Sequence, residues 1–137
     1  MSAAAGEALV LFAHGARDAR WSASLSALAQ AMRTHAGDAS VRTAFLELQA
    51  PTLLEALEAA AAEGARRVHV VPVFWAAAGH IENDLPPILA TFSARHPQVA
   101  VRVLPVLSEL PGMLEFVART VAQSINMCAC PDWPPSP

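Results

Sequence analysis

Three side chains in this 137-residue sequence combine a reactive type with a telling place: His14 in LVLFAHGARD, Glu47 in VRTAFLE and His80 in AAAGHIEND. Two neutral imidazoles and a carboxylate form a borderline-soft donor set suited to a divalent first-row metal, and equally an acid–base set near neutral pH. Each is ambiguous alone. A histidine where an apolar run ends can be a helix cap or a satisfied core residue, and a glutamate can belong to the solvated rim. Gly15 tips the balance for His14, because a residue without Cβ lets other groups approach closely.

The remaining candidates read as structure. His69 lies in the middle of VHVV and is assigned to the core or surface, while His35 and His96, late in helices, suit dipole partners or surface residues. Cys128 and Cys130 are too few for a zinc site and too close in sequence to bridge well. Trp21 and Trp75 could line a flat apolar pocket, but aromatic residues at element ends more often join the core. Neither GxGxxG nor GxxxxGK[ST] occurs, so nucleotide binding drops out.

The positions of the three candidates follow from the elements around them. Ala8 to Ala13 is apolar throughout and too short for a helix, and reads as a buried strand ending just before His14. Trp21, Leu25, Leu28 and Met32 then recur at helical spacing up to Gly37. Val41 to Glu47 is a second strand; Pro51 opens a helix that Gly64 closes. Val68 to Trp75 is the third strand, in which Pro72 calls for a sheet edge or a bend. A small-residue loop containing His80 leads to Asp84, read as the cap of a helix with Pro86 and Pro87 in its first turn. Val99 to Leu104 is the fourth strand, and after Pro111-Gly112 a last helix turns Met113, Phe116, Val117 and Val121 inward.

This order, βα four times, predicts an α/β fold with a four-stranded parallel sheet covered on both faces. Parallel strands end at one edge, where open α/β sheets bind ligands, so His14, Glu47 and His80 are expected to meet there. Residues 1–126 form one domain; 127–137, rich in proline and holding both cysteines, read as a mobile tail.

Composition narrows the partners. A formal net charge of −3 gives no electrostatic case for nucleic acid. Apolar residues reach 54% and charged residues only 15%, which excludes disorder and favours an oligomer. No apolar run is long enough to span a membrane, and MSAAAGEALV has no basic residue ahead of its apolar run, so a cytoplasmic protein is expected. All nine basic residues are Arg, a pattern that a GC-rich coding sequence explains; Arg17 and Arg20 are of interest only for their position.

In order and spacing, LVLFAHGARD, VRTAFLELQAPTLLEAL and GARRVHVVPVFWAAAGHIENDLP, within Leu9 to Ile125, resemble the small, single-domain sirohydrochlorin cobaltochelatases and their ferrochelatase relatives, the class II chelatases. The resemblance implies a chelatase-like three-layer domain that inserts cobalt or iron, as substrate, into the tetrapyrrole sirohydrochlorin, for cobalamin or sirohaem synthesis. No organic cofactor is implied, and ligand type leaves nickel open. It places the metal on His14 and His80 and the acidic active-site residue on Glu47, as base, proton relay or further ligand. It also implies a homodimer with the active site in the cleft between subunits, because larger relatives carry two such domains face to face. Arg17 and Arg20 become partners for the substrate's carboxylates. Two departures stand out: Ala16 replaces a common Ser, and a GGH-like turn reads Ala78-Gly79-His80. Two rival readings use similar residues. A histidine phosphatase needs Arg before the strand-end His, where this chain has Ala13. A non-catalytic metal- or tetrapyrrole-binding protein would use the same ligands.

Overall fold

The computed structural model describes residues 6–77, 79–127 and 134. The side chains of His80 and Met127 lie outside it, as do Cys128 and Cys130 of the expected tail. Four strands, β1 (Glu7–Ala13), β2 (Ser40–Phe45), β3 (Arg67–Pro72) and β4 (Ala100–Val103), form one parallel sheet in the order β2-β1-β3-β4. Helices α1 (Ala19–Arg33), α2 (Leu53–Ala62), α3 (Gly79–Arg95) and α4 (Met113–Met127) alternate with them, and a 3-10 turn, Leu107–Glu109, precedes α4. The expected α/β architecture with four parallel strands is what the chain adopts.

Alternation along the strands divides the core in two. Val10, Phe12, Val68 and Val70 meet Leu53 and Leu57 of α2 and Leu85 and Phe92 of α3 on one face. Leu11 and Val71 meet Leu25 and Ala29 of α1 on the other. Thr52 and Glu55 cap α2 reciprocally, each side chain accepting the other's backbone N–H. That box starts the helix two residues after Pro51. Gly64, at φ +93, closes the same helix as expected.

Several boundaries differ from the sequence reading. The second strand ends at Phe45, not Glu47, because the Phe45 N–H turns to the Pro51 carbonyl at 2.9 Å and bends the chain. The third ends at Pro72, which sits at the tip of an interior strand; beyond it the carbonyls of Phe74 and Trp75 accept from Leu107 and Ser108 instead of continuing the ladder. Helix α3 begins at Gly79, so Asp84 is no cap, and Pro86 and Pro87 lie inside the helix. An interior proline costs a helix about 3 kcal/mol. The burial of Leu85 and Phe92, with Ile81, Ile88 and Leu89 packed against the same core, offsets it.

Two helical faces also differ. In α1 the packing falls to Leu25 and Ala29 with Met32, while Trp21 is 73% exposed. In α4 the apolar side points outward: Phe116 and Val121 are both more than half exposed, and the helix packs chiefly against the 3-10 turn. Periodicity identifies residues that share a side, but among the described residues Trp21, Phe116 and Val121 stay more than half exposed.

The ends of α2 and α3 are tied by a polar cluster. His96 stacks on Phe92 with ring centroids 4.8 Å apart, and its Nε2 pairs with Oε2 of Glu58, which also accepts from Arg95 at 3.2 Å. His96 therefore has a partner on another helix, not a role at its own helix end. Its hydrogen bond holds the Glu58 carboxyl below the usual carboxylate range, so the ionised form supports folding. That support is present above the ordinary glutamate range and lost as pH falls through the lowered folded value. Glu58→Gln is accordingly expected to lower the urea midpoint at neutral pH, with the difference from wild type shrinking as the pH is lowered below the ordinary glutamate range and the carboxylate is protonated. A pH-independent difference would show that the charge of Glu58 contributes nothing.

Candidate active site at the C-terminal sheet edge

The site begins where β1 and β2 end. Parallel pairing of the two strands continues past both tips, because the Leu46 N–H donates to the Ala13 carbonyl at 2.9 Å and the Glu47 N–H to the His14 carbonyl at 3.1 Å. These bonds carry the loops side by side and bring His14 Nε2 to 3.5 Å from Glu47 Oε1, both side chains about half exposed. His14 Nδ1 lies 3.3 Å from the Gly15 carbonyl oxygen. The two residues that the sequence singled out at successive strand ends are thus adjacent in space.

Gly15 is what permits it. Its φ is +96°, and a Cβ built there would stand 2.0 Å from the Glu47 carbonyl oxygen. Glutamine 49 completes the junction, its Oε1 accepting the Ala16 N–H at 2.9 Å. The next residue after Glu47, Leu48, holds the left-handed conformation with φ 66° and is 56% exposed. A strained, exposed apolar residue beside a reactive pair is a frequent mark of a functional loop.

The other candidates separate. His80 falls in the first turn of α3, on a helix and not in a loop, and its backbone is at the same sheet edge because α3 follows the C-terminal end of β3. Its imidazole lies outside the described structure. Arg20 binds Asp18, with Nη2 2.6 Å from Oδ2 and Nε donating to the same carboxylate. Asp18 caps α1 through the Arg20 N–H, and the guanidinium keeps this carboxyl below its ordinary range. Arg17 is exposed, and no carboxylate among the described residues pairs with it.

A hollow of about 150 Å³ adjoins His14, lined by Ala16, Trp21, Leu25, Phe45 and Gln49 among others. Of the two readings open for Trp21, pocket wall or core, the structure gives the first, since Trp21 lines this hollow and is largely exposed. Gln49 is the residue sequence reasoning missed, because a loop glutamine gives no signal until the N–H it satisfies is in view. With Leu48 and the half-exposed Trp75, Trp21 makes this edge apolar around its polar pair.

Chemically, two donors each about 2.1 Å from one ion and at tetrahedral angles stand about 3.4 Å apart. The 3.5 Å between His14 Nε2 and Glu47 Oε1 fits that span. No third His, Cys, Asp or Glu joins them among the described side chains.

The fold and site define a class of domain with one four-stranded parallel α/β sheet and an imidazole–carboxylate pair at its C-terminal edge. The chain belongs to the CbiX family, whose family model matches residues 8–124. Among curated relatives it is similar to a sirohydrochlorin ferrochelatase of Bacillus subtilis (strain 168), 28% identical over 69% of this chain and 36% of the relative. It is also similar to a sirohydrochlorin cobaltochelatase of Methanocaldococcus jannaschii, 34% identical over 66% of this chain and 63% of the relative. The aligned part is thus under two-thirds of either relative. Among solved structures, the CbiX protein from Marinobacter aquaeolei VT8 superposes with a TM-score of 0.75 at 28% identity, over 88% of this chain and 98% of that one. The sirohydrochlorin chelatase SirB from Bacillus subtilis subspecies spizizenii, in complex with cobalt, gives 0.75 at 26% identity, over 90% of this chain and 51% of that one.

The close approach at Gly15 makes a direct prediction. Gly15→Ala should lower the unfolding free energy by about 2 kcal/mol or more, read from urea denaturation, since both the backbone conformation and the Glu47 carbonyl oppose a methyl group. An unchanged midpoint would mean that the two loops are not held together as described.

Proposed function

We propose that this chain is a sirohydrochlorin chelatase, a cytoplasmic enzyme that inserts cobalt or iron into the reduced tetrapyrrole for cobalamin or sirohaem synthesis. The observation that carries this reading is the His14–Glu47 pair at 3.5 Å, on the edge from which the helix bearing His80 also starts. The names of the relatives and the cobalt complex of SirB supply the reaction class.

In this mechanism His14 and His80 hold the incoming divalent ion as neutral imidazoles, leaving positions for the pyrrole nitrogens. Insertion releases two N–H protons for each divalent ion that enters, so charge is conserved. Glu47, beside His14 and open to solvent, receives them and passes them to water. Arg17 is assigned to the substrate's carboxylates; Arg20 can serve only by giving up Asp18.

A hollow of about 150 Å³ is too small for a tetrapyrrole, given that sites for drug-sized ligands occupy about 300–1,000 Å³. The macrocycle therefore needs a second surface. A second copy of the chain supplies one: the chain matches 98% of the Marinobacter CbiX protein but 51% of SirB, so two copies correspond in length to one SirB chain. We assign the active site to the cleft of such a homodimer.

The test is metallation of sirohydrochlorin followed by absorbance, with Co2+ and Fe2+ in parallel. The purified chain is expected to exceed the spontaneous rate, and His14→Ala and His80→Ala are each expected to reduce the rate to the spontaneous level with circular dichroism unchanged. A wild-type rate equal to the spontaneous one would exclude the enzyme and leave a non-catalytic binding protein. Full activity in either variant would remove that residue from the metal site.

A further inference from the structure

Leu48 combines two unfavourable features, and the residues around it explain only one of them. It stands between two anchored neighbours: the Glu47 N–H donates to the His14 carbonyl at 3.1 Å, and Oε1 of Gln49 accepts the Ala16 N–H at 2.9 Å. The Phe45 N–H on the Pro51 carbonyl closes the loop behind them. With both neighbours fixed, Leu48 takes the left-handed φ of 66°, the one residue other than glycine to hold a positive φ among the described residues. Glycine or asparagine meets that geometry at little cost; leucine does not. Nor is the side chain taken into the fold. Leu46, two residues earlier, packs against the core, whereas Leu48 is 56% exposed. The anchors account for the backbone conformation, but not for a large apolar side chain placed on it.

We propose that Leu48 is a substrate-contact residue, which bears on the apolar face of the sirohydrochlorin ring beside the His14–Glu47 pair and sets part of the affinity for the metal-free macrocycle. This rests on the chelatase reading. One peptide bond joins Leu48 to Glu47, whose carboxylate lies 3.5 Å from His14 Nε2, so a ring brought over that pair meets Leu48. A tetrapyrrole is a broad ring with its charged groups on the rim, and its central face must come over the pair for an ion to pass. Apart from the pyrrole nitrogens that face offers no hydrogen-bond partner, so an aliphatic side chain matches it, where a polar one would lose water without compensation. The anchors on either side hold the leucine outward before the ring arrives, so little freedom is lost on contact. Trp21, 73% exposed on the wall of the hollow beside His14, makes the same edge apolar from the α1 side. The contact holds neither ion nor proton, and therefore acts on binding more than on turnover.

The experiment titrates metal-free sirohydrochlorin into the full chain and reads the quenching of tryptophan fluorescence, with the exposed Trp21 and half-exposed Trp75 as reporters. Leu48→Gly relaxes the backbone and removes the side chain in one change. It is expected to keep or raise the urea midpoint while raising Kd about fivefold, the effect of no longer burying about half of a leucine side chain. Leu48→Met, which keeps the apolar volume, is expected to bind within about twofold of wild type. In the metallation assay Leu48→Gly is expected to raise KM about fivefold and to change kcat less. An unchanged Kd in Leu48→Gly overturns the proposal. So does a lowered urea midpoint or a lowered light-scattering mass, either of which assigns the side chain to packing within or between chains. Absence of quenching by the wild type overturns it as well. The chelatase reading fails separately: a wild-type chain that binds the macrocycle through Leu48 without accelerating metallation removes that reading and leaves the contact in place.

Discussion

The site depends on the approach of one backbone to another. The loops after β1 and β2 run together because the Leu46 and Glu47 N–H groups donate to the carbonyls of Ala13 and His14, and Gly15 has no Cβ to meet the Glu47 carbonyl. In a parallel sheet neighbouring strand tips always share an edge, but the loops beyond them ordinarily diverge toward their helices. Here two extra hydrogen bonds delay that divergence by two residues. The delay converts a shared edge into a 3.5 Å separation between an imidazole and a carboxylate. The adjoining Leu48 is left in a conformation that costs a side-chain-bearing residue about 1–2 kcal/mol. Gln49 and the Phe45–Pro51 bond hold the loop in that state.

Much of this was legible in the sequence, for identifiable reasons. The strands around Val10, Val41 and Val70 are short apolar runs between helical repeats, a pattern with few other solutions, and the parallel sheet follows from their alternation with helices. His14 and Glu47 were legible because they stand where apolar runs end. The start of α3 was not, since Pro86 and Pro87 signal a first turn, whereas the buried face of Leu85 and Phe92 outweighs that local signal and extends the helix back to Gly79. Gln49 could not have been found. Its role exists only in relation to an N–H that is 33 residues away in the chain.

The helical repeat in α4 marks a subtler limit. Spacing reports which side chains share a side, as with Met113, Phe116, Val117 and Val121, but it is silent on what that side meets. The expectation that it turned inward assumed that each chain covers its own sheet. On the α1 face that assumption fails: α1 lies over β1 and β2, and α4 packs chiefly on the 3-10 turn.

Two features of the single chain leave apolar surface open. The hollow beside His14 measures about 150 Å³ and is walled by Trp21, Leu25 and Phe45, and α4 leaves four large apolar side chains more than half exposed. Fully burying a side chain of that kind is worth roughly 1.5–3 kcal/mol, against a typical total stability of about 5–15 kcal/mol for a domain. Four such groups on one short helix are a sizeable unused contribution, and a low content of charged residues, 15%, places little on the surface to solvate them. The alternation of strands and helices that builds the sheet thus leaves the last helix as the one element whose apolar side the described chain does not cover.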